Sequence, residues 1–174
     1  FIWIASKIST VILGFYKTKY LTELDLVYSE EEIRMMISRS HEEGQLDQVE
    51  SELIDNVFNF VDRRAKEVMV PRIDMTFADI NNTYEELIEL FRKDKFTRLP
   101  VYEDSTDNVI GIINMKDLLL YDDKETFHIR DILREPYYTY EHKNTAELFM
   151  DMRSSSISIA IVLDEYGATA GLIT

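Results

Sequence analysis

Apolar positions recur along this chain with two periods. Between residues 30 and 61 the spacing is helical: Ile33, Met36 and Ile37 share one face, as do Val49, Leu53, Val57, Phe60 and Val61. Ser29 and Glu32 form a capping box ahead of the first run, and Gly44 supplies its stop. The second run turns Glu50, Glu52 and Asp55 outward. Carboxylates this dense attract a hard cation such as Mg²⁺ loosely, but no ligand set is spaced to close a cation shell, which predicts a solvated face.

Beyond residue 80 the pattern changes and duplicates. Asn82-Thr83 caps a helix carrying Tyr84, Leu87, Ile88 and Phe91, and Asn144-Thr145, 62 residues on, caps another carrying Leu148, Phe149 and Met152. A short extended run follows each helix, Arg98 to Tyr102 and Ile159 to Leu163. Acids and a turn come next, then a second strand: Gly111-Ile112-Ile113-Asn114 in one copy, Gly171-Leu172-Ile173-Thr174 sixty residues later in the other. The offset drifts from 62 to 60, as small losses in loops produce. Each unit reads strand–helix–strand–strand, and the first closes with a helix from Met115 to Leu120. Such alternation predicts an α/β (α+β) fold, in which two units too small to bury their own faces pack about a pseudo-twofold axis.

Composition narrows the function. The 174 residues are 45% apolar, enough for a sizeable core, and Pro and Gly are scarce. With no cysteine there is no disulfide framework, thiolate metal site or cysteine nucleophile. A net charge of −14 argues against nucleic acid as a partner, because counterion displacement needs clustered Lys and Arg. The charge is uneven. Residues 1–20 carry Lys7, Lys17 and Lys19 and no acid, whereas residues 21–60 carry eleven acids against Arg34 and Arg39.

The opening run, Phe1 to Tyr16, is mostly apolar but shorter than the roughly 20 residues that span a bilayer. Two readings stand: the tail of a membrane domain, with Trp3 and Tyr16 at the interface and Lys17 and Lys19 on the cytoplasmic side, or an amphipathic helix on the following domain. Phe1 is not an initiator Met and the final strand reads as cut short, so a fragment is expected. Nothing points to catalysis. His41, His128 and His142 have no metal-ligand spacing, no glycine-rich phosphate loop occurs, and no Ser sits in an elbow-like turn beside a base.

Three stretches, in order, carry a family resemblance. They are Val61-Asp62-Arg63-Arg64-Ala65-Lys66-Glu67-Val68-Met69-Val70-Pro71-Arg72, then Thr97-Arg98-Leu99-Pro100-Val101-Tyr102, then Ala160-Ile161-Val162-Leu163-Asp164-Glu165-Tyr166-Gly167 with Ala170-Gly171-Leu172-Ile173-Thr174. Together they resemble the CBS-domain pair of the CorC/HlyC/CNNM group, magnesium and cobalt efflux or hemolysin-like membrane proteins. The resemblance implies tandem CBS motifs at 63–134 and 135–174, the second incomplete, an acidic helical linker at 21–62 and a juxtamembrane tail at 1–20. It also implies a homodimer on the cytoplasmic face of the cell membrane, coupled to its own membrane domain. The implied ligand is an adenine nucleotide, ATP or AMP, with Mg²⁺ accompanying ATP.

That resemblance further implies a set of site residues. Thr97 and Arg98 stand where the family faces phosphate, and an Arg there grips phosphate with a fork of donors. Asn114 takes the place of a usual hydroxyl residue, and Asp117 is the implied ribose acceptor. Thr174 fits the hydroxyl position of the second copy, whose matching Asp would lie further on. Met69, with Val70 and Pro71, would line the adenine slot. Tyr166-Gly167 reads instead as a tight turn. The favoured reading is a nucleotide-sensing regulatory module of an ion transporter. The alternative is a ligand-free dimerisation module; a lytic protein is disfavoured by the acidic surface and the lack of a long amphipathic lytic helix.

Overall fold

The computed structural model describes residues 28–174, so the opening apolar run lies outside the described residues. Two compact units divide the chain after Leu53. In the first, α1 (Glu30–Glu42) starts at the Ser29/Glu32 capping box and ends before Gly44, which takes a φ of 73°. α2 (Gln48–Asp62) runs across the division, and the whole apolar face expected of it is exposed, from Phe60 at 38% to Val49 at 63%. Among the described residues no helix is long and apolar enough to cross a membrane.

The second unit contains the duplication. A short helix α3 (Ala65–Val68) leads to β1 (Val70–Pro71) and β2 (Ala78–Asp79). The first repeat then continues through α4 (Tyr84–Asp94), β3 (Arg98–Glu103), β4 (Ser105–Asn114) and α5 (Met115–Leu119). The second comprises β5 (Tyr137–Tyr140), α6 (Thr145–Ser154), β6 (Ala160–Leu163) and β7 (Thr169–Ile173). In each, a parallel pair (β2 with β3, β5 with β6) adjoins an antiparallel hairpin. The mixed α+β architecture expected from the sequence is present. One detail differs: β4 begins at Ser105, not Gly111, because Asp104 alone makes the turn in a left-handed conformation, φ 65°. Polar Ser105 to Asn108 can therefore continue the strand while facing solvent.

Strand alternation sorts the core. Leu99, Val101 and Ile113 pack beneath Leu87 and Phe91 of α4, and Leu118 and Ile129 close that cluster. Ala160 and Val162 pack beneath Leu148 and Met152 of α6. The opposite strand faces, Ile112 with Val109 and Ile161 with Ile159, meet in a third cluster that joins the halves. Each such buried aliphatic side chain contributes about 1.5–3 kcal/mol. Phe149, expected on the apolar face of α6, is instead 51% exposed and edge-on to Phe60, ring centres 6.0 Å apart.

The halves also exchange segments. β1, which opens the first repeat, pairs antiparallel with β7 of the second, Val70 opposite Leu172 and Pro71 opposite Gly171. Reciprocally, Arg134, which precedes the second repeat, bridges to Ile112 of the first. The two glycines sixty residues apart permit this. A Cβ at Gly111 would overlap Leu133, and one at Gly171 would overlap the Val70 carbonyl oxygen and lie 2.8 Å from Met69 Sδ.

Candidate functional site

Where the Arg134 segment crosses β4, a cleft of roughly 380 Å³ opens. Arg98 at the start of β3 and Asn114 at the end of β4 form one wall. Arg134, Pro136 and Tyr137 form another, and the Ser156–Ile159 turn, with the hydroxyl residues Ser156 and Ser158, completes it. Strand geometry brings Arg98 and Asn114 together, since they are register partners in the β3–β4 hairpin. Thr97 is exposed beside them and its carbonyl accepts from the Met115 N–H at 3.0 Å, tying the strand start to α5.

Asp117 stands in the first turn of α5, behind the wall. Arg134 grips it with a fork, Nε to Oδ2 at 2.7 Å and Nη2 to Oδ1 at 2.9 Å, and the Asn114 side-chain amide donates to Oδ2 at 3.1 Å. The Arg134 hydrogen bonds, seconded by Asn114, hold the Asp117 carboxyl below its ordinary range against a smaller opposing effect of burial. Asp117 is therefore charged, and its charge is already spoken for. Arg98 lines the same cleft with no ion-pair partner among the described residues. The cleft thus offers one free guanidinium, one engaged guanidinium and two serine residues beside one acid, Glu135; its donors suit an oxyanion ligand.

The second half carries a related hollow of roughly 480 Å³. Thr174 and Ser158 line it with Val68, Val70, Leu172 and Phe149, and the buried Thr145 hydroxyl there has no hydrogen-bond partner among the described residues. Thr174 is thus placed away from Arg98 and Asn114. Met69 lines neither cleft; it packs with Ala65 and Leu148 against Gly171, while its neighbour Val70 reaches the second hollow. Tyr166 is 90% exposed, and Asp164 builds the turn around it by accepting from the Tyr166 and Ala168 N–H groups. Gly167 takes a φ of 82°. Among the described residues no group of three or more His, Asp or Glu could hold a metal ion.

Arg134 is the residue that sequence reasoning missed. A signal existed: Leu133-Arg134-Glu135-Pro136 leads into the second repeat much as Met69-Val70-Pro71-Arg72 leads into the first. Without strands, though, that likeness does not reveal that each segment crosses to the opposite half.

Two exchanged half-sheets with a cleft at each crossing define a tandem CBS module. The CBS domain family model matches residues 65–124. The structure of the CBS domain of a bacterial CNNM/CorC family Mg²⁺ transporter superposes with a TM-score of 0.79 at 32% identity, covering 85% of this chain and 92% of that one. The same kind of domain in complex with ATP superposes at 0.69 and 34% identity, covering 72% and 90%. The UPF0053 protein YrkA of Bacillus subtilis is 33% identical over 180 residues, spanning the whole of this chain and 42% of its own length. The chain belongs to the CBS-domain portion of the CNNM/CorC family. It spans less than half the length of the curated relatives it matches.

Proposed function

We propose that this chain is the nucleotide-binding regulatory part of a CNNM/CorC-type Mg²⁺ transporter, held at the cytoplasmic face of the membrane by a membrane domain of the same protein. The observation that carries the reading is the first cleft, where Arg98 and Arg134 flank Asn114 and Asp117. Cations suit the phosphates of an adenine nucleotide, and a charged carboxylate suits a ribose diol. A structural relative at 34% identity is a complex with ATP. In this reading Thr97 and Arg98 face the phosphates, and Thr174 and Val70 serve the second cleft. Met69 supports the slot from behind. Mg²⁺ enters with ATP, offsetting the repulsion between triphosphate and an acidic chain of net charge −14.

Nucleotide controls transport only by differential affinity for two arrangements of a dimer of these modules. Calorimetric titration with ATP, ADP and AMP, with and without Mg²⁺, tests the ligand. Saturable binding that favours ATP is the expected result, and Arg98→Ala should weaken ATP by about tenfold while sparing adenosine. Equal losses for both would remove Arg98 from the phosphate site. A second reading rests on one fact: Asp117 already has its partners, so the clefts need no ligand and the module serves dimerisation alone. A stable dimer in sedimentation with no heat for any nucleotide would favour it.

A further inference from the structure

We propose that Arg134 is a latch on Asp117 that a ligand's phosphates release, so that the first cleft discriminates nucleotides from nucleosides. The inference rests on the nucleotide reading above and adds a residue and a rule of selectivity to it.

The Arg134 backbone is pinned, its N–H donating to the Ile112 carbonyl and its carbonyl accepting from the Ile112 N–H, both at 2.9 Å. Its side chain is 62% exposed and lies at the rim of the cleft, so the guanidinium moves without disturbing the strand crossing. Asp117, at 26% exposure, has both carboxylate oxygens occupied by that guanidinium. Because Oδ2 accepts from Asn114 as well, a diol that is to donate both hydroxyls to the Asp117 carboxylate must displace the Arg134 fork.

A nucleoside offers Arg134 nothing in return. A phosphorylated ligand does, because a phosphate presents the same pair of oxygens to the fork that the carboxylate does. One guanidinium then exchanges one pair of anionic oxygens for another while Arg98 adds a second grip, and Asp117 is freed for the sugar. Asn114 stays on Oδ2 and keeps the released carboxylate oriented. The discrimination comes from the cost of leaving Arg134 unpaired, which only an anionic ligand removes.

The test is Arg134→Ala in this chain, titrated with ATP and adenosine and followed at the Asn114 side-chain amide by NMR, which reports on this cleft and not on the second. Removing the latch should tighten adenosine roughly 1.5- to fivefold, the range expected for an exposed pair, and weaken ATP about tenfold. Opposite signs support the latch. If both ligands weaken by one factor, or adenosine does not change, Arg134 merely shapes the cleft; the latch falls while nucleotide binding by the wild type stands. If wild type and variant alike leave the Asn114 amide unmoved with every ligand, nucleotide recognition at this cleft fails and the latch with it. If the wild type binds neither ligand while the variant binds adenosine, the lock is real and phosphate does not open it, which overturns the release step. Should Arg134→Ala not fold, Arg134→Lys keeps the charge without the fork and is read by the same criteria.

Discussion

At the residue scale, two glycines and one carboxylate govern the crossings. Gly171 and Gly111 look equivalent in the repeat, yet their neighbours differ in stiffness. A methyl at Gly171 meets the Val70 carbonyl, which is held in the β1–β7 pairing, whereas one at Gly111 meets chiefly the Leu133 side chain, which can change rotamer. Gly171→Ala should therefore cost about 3 kcal/mol, near the top of the overpacking range, and Gly111→Ala nearer 1 kcal/mol; urea unfolding midpoints would rank them. Asp117 predicts a pH effect. Its carboxyl is held low first by Arg134 and then by Asn114, Asp79 is lowered chiefly by the Asn81 N–H, and Glu86 chiefly by the Thr83 N–H. Groups depressed in the folded state stabilise it fully above their unfolded pKa of about 4, and that stability drains away as pH falls through the lower folded values. Unfolding midpoints should drop below pH 4, and Asp117→Asn should flatten that drop.

At the element scale, caps fix where the two repeat helices begin. Thr83 closes a capping box with Glu86, accepting from the Glu86 N–H at 3.3 Å while the Glu86 carboxylate accepts from the Thr83 N–H at 2.9 Å. Asn144 caps α6 differently: its side-chain oxygen accepts from Ala146 and Glu147, and its amide donates to the Val61 carbonyl at 2.6 Å. Thr83→Ala should cost about 1 kcal/mol. Asn144→Ala should cost about twice that, since it also strips the Val61 carbonyl of its donor at the end of α2. Asn144→Asp, which keeps the cap and loses only the donor, should fall between, as thermal melts would show. Both caps were legible because an Asn-Thr pair before an apolar 3.6-residue pattern signals its own structure locally. So were β3, β6 and the fold class. The long β4 was not, since its start depends on a single left-handed Asp104, and Asp is merely tolerant of that conformation. The Arg98–Asn114 pairing was half visible, as a family pattern without a geometry. The Arg134 fork was invisible, because it joins residues 17 apart across a chain crossing that no local spacing encodes.

At the scale of the second unit, the crossings decide how it unfolds. β1 belongs by sequence to the first repeat and by pairing to the sheet of the second, so neither half keeps a complete sheet if the other opens. Further bonds cross the same boundary. The Thr169 hydroxyl donates to the Asp107 carbonyl at 3.1 Å, and the Tyr138 hydroxyl donates to the Val109 carbonyl at 2.6 Å. Between them lie Val109, Ile112, Ile159 and Ile161, an apolar layer that separation would expose to water. Local opening is favourable only where few apolar contacts and backbone bonds are lost, and here each half loses both with its partner. The two halves should therefore open together. Hydrogen exchange measures this directly: the amides of Val101 and Ile113 in one sheet and of Ile161 and Val162 in the other should share one opening free energy. Gly171→Ala, although it strikes the second sheet, should reduce protection in both by the same factor, about a hundredfold for a loss near 3 kcal/mol. Faster exchange confined to the second sheet of that variant would show two independent halves and would remove the route by which occupation of one cleft reaches the other.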